Sequence, residues 1–215
     1  MHILKLCVLG DGAVGKTSLI IRHVDKRFVT EYKPTIGFDI ALKTMKIQEE
    51  GISAELLIWD IAGQAIFEKI REEYLQGTNA AMIIFDLTRQ ETYDHVKDWL
   101  RELNTYAGKV PFVLVGNKAD LASKKVISDE VGKKYAKTLG AIDYIETSAK
   151  TGQKVEDAFE KIIKNVIETL SKKKEKAEEV EEKPEEAEEK AEEVEEKPEE
   201  AEEKIEEVEE KPEEE

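Results

Sequence analysis

Short apolar runs alternate along the chain with stretches whose apolar positions recur every three or four residues, and this alternation predicts an α/β sheet. Ile3–Leu9 reads as a buried strand, followed by a glycine-rich turn and a helix from about Lys16 to Lys26. Asp39–Gln48 and Ile52–Asp60 read as a hairpin turned at Glu49-Glu50-Gly51. Ala80–Asp86, Val110–Gly116 and Ile142–Glu146 are three further strands, rich in Ile, Val, Phe and Leu. Helices are expected near Glu91–Ala107 and Asp129–Leu139, the second with Ser128 as its N-cap. Val155, Phe159, Ile162, Ile163, Val166, Ile167 and Leu170 form one stripe, so a last amphipathic helix should pack on the sheet. The predicted body is residues 1–171.

Beyond it the pattern changes. AEEVEEKPEEAEEK fills 177–190, recurs unchanged at 191–204 and begins again with Ile205 in place of alanine. Residues 172–215 hold nine lysines against 24 glutamates, so this tail carries nearly all of the chain's formal charge of −16. Its uncharged positions step by three and four like a heptad seam, yet alanine and valine bury little and a proline occupies the seam in each repeat. A solvated, disordered or weakly helical polyanion is expected rather than a coiled coil.

Charge and composition then narrow the function classes. No basic stripe offers phosphate neutralisation, so nucleic acid is not an expected partner. The longest apolar run, Ala80–Phe85, is far short of the roughly 18 residues of a membrane span. The N-terminal residues lack a signal-peptide layout, and His2 stands where myristoylation needs glycine. The lone cysteine, Cys7, sits within the first strand and is expected to be buried and inert. His2, His23 and His95 lack ligand spacing and are expected to be surface or packing residues. A cytoplasmic protein without its own membrane anchor is the expectation.

The chemistry begins at Gly10-Asp11-Gly12-Ala13-Val14-Gly15-Lys16-Thr17, which fits G-x-x-x-x-G-K-[ST] between a strand and a helix. Backbone N–H groups freed by the glycines converge on phosphate, helped by the helix dipole. Lys16 should reach the β- and γ-phosphates and the Thr17 hydroxyl should hold Mg²⁺. Asp60, at the end of the Leu56–Trp59 run, is by itself either a turn residue or a metal-binding carboxylate; beside the phosphate loop the metal role is expected. Asn117-Lys118-Ala119-Asp120 follows another strand, and a carboxylate there can accept from N1–H and the 2-amino group of guanine, a pattern adenine lacks. Ser148-Ala149-Lys150 would supply a backbone donor to the guanine 6-oxygen.

With GDGAVGKT, Thr35 in Pro34-Thr35-Ile36-Gly37, DIAGQ, NKAD and ETSAK in this order, residues 3–171 resemble the Ras-superfamily small GTPases. The Trp59-Asp60 pair, Ile36-Gly37 and NAAMIIFDLT look most similar to the Rab branch. The resemblance implies a P-loop NTPase G domain: a six-stranded, mostly parallel sheet flanked by five helices. It implies guanine-nucleotide contacts from Gly12, Ala13, Val14, Gly15, Lys16, Thr17, Ser18, Asn117, Lys118, Asp120, Ser148, Ala149 and Lys150, with Phe28 stacked on the base and Tyr32 nearby. Thr17, Thr35 and Asp60 would hold Mg²⁺, Gly63 would bond the γ-phosphate, and Gln64 and Lys16 would be catalytic. A monomeric GTP/GDP switch follows, meeting effectors and regulators through residues 30–38 and 61–76. No catalytic arginine is evident, Arg71 and Arg89 having no motif that places them at the γ-phosphate, so hydrolysis should be slow. The alternatives are a non-hydrolysing scaffold whose acidic tail recruits basic partners, and an ATP-dependent P-loop enzyme, which Asp120 disfavours. Three positions differ from the family pattern: Ala65 replaces glutamate after Gln64, Ile40 replaces the Rab phenylalanine beside Trp59 and Tyr74, and the tail offers no cysteine for prenylation.

Overall fold

The computed structural model describes residues 2–30, 34–47, 52–169 and 171. The expected turn at 49–51, Tyr32 and the acidic repeats therefore lie outside the described residues. The strands are β1 (His2–Leu9), β2 (Phe38–Ile47), β3 (Ile52–Ile61), β4 (Ala80–Asp86), β5 (Phe112–Asn117) and β6 (Tyr144–Thr147). They form one sheet in the order β2-β3-β1-β4-β5-β6. Only the β2–β3 pair is antiparallel; β1–β3, β1–β4, β4–β5 and β5–β6 run parallel. β4 and β5 are buried along their whole length, which is why they appear in the sequence as unbroken apolar runs.

Alternation along β1 shows the two faces. Cys7 and Leu9 join Phe85, Leu114, Trp99 and Leu103 in one core. Leu4 and Leu6 meet Ile162, Ile163 and Val166 from the last helix on the other face. The helices are α1 (Lys16–Asp25), α2 (Glu68–Leu75), α3 (Gln90–Asp94), α4 (Val96–Ala107) and α5 (Asp129–Leu139), with α6 over 155–169. Ser128 caps α5 as its sequence suggests, its hydroxyl accepting from Val131 N at 3.3 Å.

Two helical segments differ from expectation. The single helix read over Glu91–Ala107 is divided at His95, whose ψ of −9° turns the chain between α3 and α4. α2 has no strong apolar stripe to announce it, because its buried side chains are Leu75 and an arginine, Arg71. Cys7 is buried as expected, its thiol 3.0 Å from the Thr78 hydroxyl, and burial pushes its pKa up. Among the described residues no helix is long and apolar enough to cross a membrane.

Candidate functional site

Open parallel sheets place their chemistry in loops beyond the carboxyl ends of the strands. Here those loops follow Leu9, Ile61, Asn117 and Thr147, and they enclose a cavity of about 400 Å³. The 10–17 loop contributes Gly12, Ala13, Gly15, Lys16 and Thr17, followed by Ser18 of α1. Phe28 and Thr35 come from the segment between α1 and β2, and Gly63 and Gln64 from the end of β3. Asn117, Lys118, Asp120, Ala149 and Lys150 complete the wall. Val14 and Ser148 are fully buried behind it and act through their neighbours. Ile21, Val29 and Thr30 also line the cavity; their apolar or small side chains gave no motif by which sequence could single them out.

The 10–17 loop holds its shape through backbone that glycine alone tolerates. Gly15 has φ of +101°, and a Cβ there would lie 2.4 Å from Asn117 Nδ2. That amide is the hub of the site. Asn117 Nδ2 donates to Val14 O at 2.9 Å, while its Oδ1 accepts from Thr147 Oγ1 at 3.2 Å and Ala149 N at 3.3 Å. Three loops distant in sequence are thereby fixed by one side chain. Ser148 Oγ donates to Asp120 Oδ1 at 2.6 Å and so holds that carboxylate in place.

Lys16 is buried, its ammonium donating to the carbonyls of Gly10 at 2.7 Å and Asp11 at 2.8 Å. Burial pushes its pKa down to about 8, with Asp60 and Asp11 opposing the shift. A desolvated cation in an open cavity is a strong attractor for an anion. Lys118 instead pairs with Asp86 Oδ2 at 2.7 Å. Burial alone would raise the Asp86 carboxyl, but donors from Lys118 and Thr88 outweigh it and hold its pKa low.

Thr17, Thr35 and Asp60 converge. Thr17 Oγ1 donates to Asp60 Oδ2 at 2.5 Å, Thr35 Oγ1 donates to the same oxygen at 3.1 Å, and the two hydroxyls lie 2.9 Å apart. Asp60 is buried, its pKa is raised by that burial, and its Oδ1 has no hydrogen-bond partner. An orphaned buried carboxylate oxygen beside two hydroxyls is the donor chemistry of a hard divalent cation such as Mg²⁺.

Several participants were not legible as motifs. Arg22 donates from Nε to Ala149 O at 2.8 Å and from NH2 to Lys150 O at 2.6 Å, tying α1 to the last loop. Its guanidinium also lies 6.0 Å from the Phe28 ring centre. Arg89 donates to Gly12 O at 2.9 Å and to Asp86 Oδ2 at 3.2 Å. Arg71 donates to Gln64 O at 3.0 Å and pairs with Glu102. His95, expected to be bland, has Nδ1 2.7 Å from Asp11 Oδ2, and that contact raises its pKa. His23 is buried and stacked on Phe159, with ring centres 3.9 Å apart.

Outside the cavity, Phe38 packs on Trp59 and Tyr74 with ring centres 5.2 and 4.1 Å away. The aromatic trio expected to lack a member at Ile40 is therefore present, its third ring supplied from two residues earlier on the same strand face. Ile36 and Ile66 are 80% and 81% exposed nearby in sequence to Thr35 and Gln64.

Comparison with known proteins agrees with this arrangement. The Ras family model matches residues 5–168. The chain is 41% identical over 159 residues to the Ras-related protein RIC1 of Oryza sativa subsp. japonica, covering 74% of this chain and 77% of that protein. Identity and coverage are the same for the Ras-related protein RABD2c of Arabidopsis thaliana. Fold, loop arrangement and similarity together place this chain in the Ras family of small GTPases, GTP hydrolases close to the Rab branch.

Proposed function

We propose that residues 1–171 form a Mg²⁺-dependent GTP/GDP switch that hydrolyses GTP slowly and signals through residues 30–38 and 61–76. The observation that carries the reading is the convergence of the Thr17 and Thr35 hydroxyls on the buried Asp60 carboxylate. It joins the phosphate loop, the 34–37 segment and the end of β3, so one charged ligand there would govern all three. Mg²⁺ would be held by Thr17 and Thr35 with Asp60 directly or through water, and when bound it would neutralise β- and γ-phosphate charge.

In this reading the glycine-rich loop and Lys16 cradle the phosphates, Ser18 lies beside them, and Gly63 N–H bonds the γ-phosphate. Asp120 accepts from the guanine edge, Ala149 supplies a backbone donor, and Phe28 covers the ring; Tyr32 is assigned to the nucleotide from the family resemblance. Gln64 orients a water in line with the β–γ bridge. The water oxygen bonds to the γ-phosphorus as the bridging P–O bond breaks, its proton passes to the phosphate product, and GDP leaves with the bridging oxygen. Lys16 spreads the charge that develops on the phosphates.

Slow turnover follows from where the arginines are. Arg71 is committed to Glu102 and Gln64 O, and Arg89 to Asp86, Glu91 and Gly12 O. An arginine at the transition state is worth about 10³–10⁵ in rate, which a partner would have to supply. Exposed Ile36 and Ile66, with the Phe38–Trp59–Tyr74 rings, offer that partner or an effector its apolar anchor. The body acts as a cytoplasmic monomer, and the acidic tail, 172–215, serves as a solubilising or electrostatic handle for basic partners.

The base assignment is tested by replacing Asp120 with Asn. GTP affinity should fall and xanthine-nucleotide affinity should rise, because an amide can donate to the xanthine 2-oxygen. Unchanged GTP affinity in that variant refutes the assignment.

A further inference from the structure

Helix α4 and the residue before it put His95, Trp99 and Glu102 on one stripe at steps of four and three, which meets Asp11 of the 10–17 loop and Arg71 of α2. All three are engaged. Arg71, only 5% exposed, reaches this stripe from α2. Its Nε and NH2 donate to the two Glu102 oxygens, the NH2–Oε2 distance being 3.0 Å, and its guanidinium lies 4.8 Å from the Trp99 ring centre. Its remaining nitrogen, NH1, donates to the Gln64 carbonyl at 3.0 Å. On the other side, Trp99 Nε1 donates to Asp11 Oδ1 at 2.7 Å, and His95 Nδ1 lies 2.7 Å from Asp11 Oδ2.

One helix therefore grips both the phosphate loop, through Asp11, and the glutamine segment, through Arg71. A buried ion pair is a poor stabiliser, since desolvating both charges offsets their attraction, and an apolar pair of similar volume would cover Trp99 as well. What a planar, bidentate pair supplies is geometry: it fixes the guanidinium plane and hence the third donor aimed at Gln64 O. We infer that Arg71 and Glu102 are positioning residues for GTP hydrolysis, with Glu102 orienting Arg71 and Arg71 holding the Gln64 backbone at a set distance from the phosphate loop. The inference rests on the role proposed above for Gln64, and it explains why an arginine so near the site does not enter the cavity.

Single-turnover GTP hydrolysis by the full chain with Mg²⁺ tests it in two backgrounds. Glu102→Gln keeps the side-chain volume but loses the charge, and Arg71→Lys keeps the charge but loses the fork. With Gln64 present, each should slow hydrolysis by about three- to thirtyfold, the range expected for coupling through a neighbouring group, and leave GDP affinity unaltered. In a Gln64→Ala chain the same changes should alter the residual rate by less than about twofold, because the group they position is gone. Equal slowing in both backgrounds would reveal general damage to the fold and overturn the inference, as would no slowing with Gln64 present. If Gln64→Ala alone leaves the rate unchanged, the role of Gln64 fails and this inference with it. If Gln64→Ala is slow while the Arg71 and Glu102 variants are normal, only the inference fails.

Discussion

Replacing Gly63 with alanine introduces one methyl group at the closest approach between β3 and the phosphate loop. A Cβ at Gly63 would lie 2.2 Å from Gly10 O, 2.5 Å from Asp11 C and 2.7 Å from Asp11 O. These are backbone atoms, and both carbonyls already accept from Lys16 Nζ. The shortest contact is roughly 1 Å inside van der Waals distance, so one segment must move. The loop is held by Lys16 and by Asn117 Nδ2 on Val14 O, both buried, whereas the 62–64 segment is held to its neighbours by Ala62 N on Gly37 O and Arg71 on Gln64 O. The 62–64 segment should therefore yield. Overpacking of this kind costs about 1–3 kcal/mol of stability. A displacement of about 1 Å at a catalytic group costs on the order of 10² in rate. Gly63→Ala should bind GDP with near-normal affinity, hydrolyse GTP about a hundredfold more slowly in single turnover, and unfold at a lower temperature. A variant with normal hydrolysis and normal unfolding temperature would refute the packing argument; lost GDP affinity would show that the loop moved instead.

Other outcomes follow from buried groups. His23 is fully buried with Nε2 unpartnered, and burial, aided by Lys43 and opposed by Glu156, lowers its pKa from 6.5 to about 4. The unfolded chain then takes up the proton first, so stability is complete above pH 6.5 and declines as pH falls toward 4, by about 3 kcal/mol. Urea unfolding of the wild type and His23→Phe across that window should show the stability difference shifting in favour of the variant at low pH; parallel curves would contradict it. Arg22→Ala removes two charge-assisted bonds to the carbonyls of Ala149 and Lys150 and should speed GDP release about tenfold, read by displacement of a fluorescent nucleotide. Unaltered release would mean that the loop holds without α1. Gly132→Ala drives a methyl to 2.2 Å from the Tyr144 ring and should cost about 1–3 kcal/mol in thermal unfolding with hydrolysis preserved.

The strands and the glycine-rich 10–17 loop were legible because their signals are local. Ala80–Asp86 is apolar on both faces, and Gly10–Thr17 carries its glycines at fixed spacing, so neither needs tertiary knowledge. What escaped was non-local. α2 buries Arg71 with a single apolar side chain, Leu75, so no periodicity marked it. His95 divides two helices and meets Asp11 across 84 residues, a contact with no spacing rule behind it. Arg22 acts through Ala149, 127 residues away, with no motif around it. Ile40 departs from the Rab pattern as read, but the ring that Phe38 adds beside Trp59 and Tyr74, two residues earlier on the same strand face, is a tertiary contact that no motif announced.

The most direct test is single-turnover GTP hydrolysis with Mg²⁺ by the full chain, residues 1–171 and Gln64→Leu. The switch reading predicts slow phosphate release from the first two and its loss in the third. Tight GTP binding without hydrolysis in every form, or a Gln64→Leu rate equal to wild type, would contradict it.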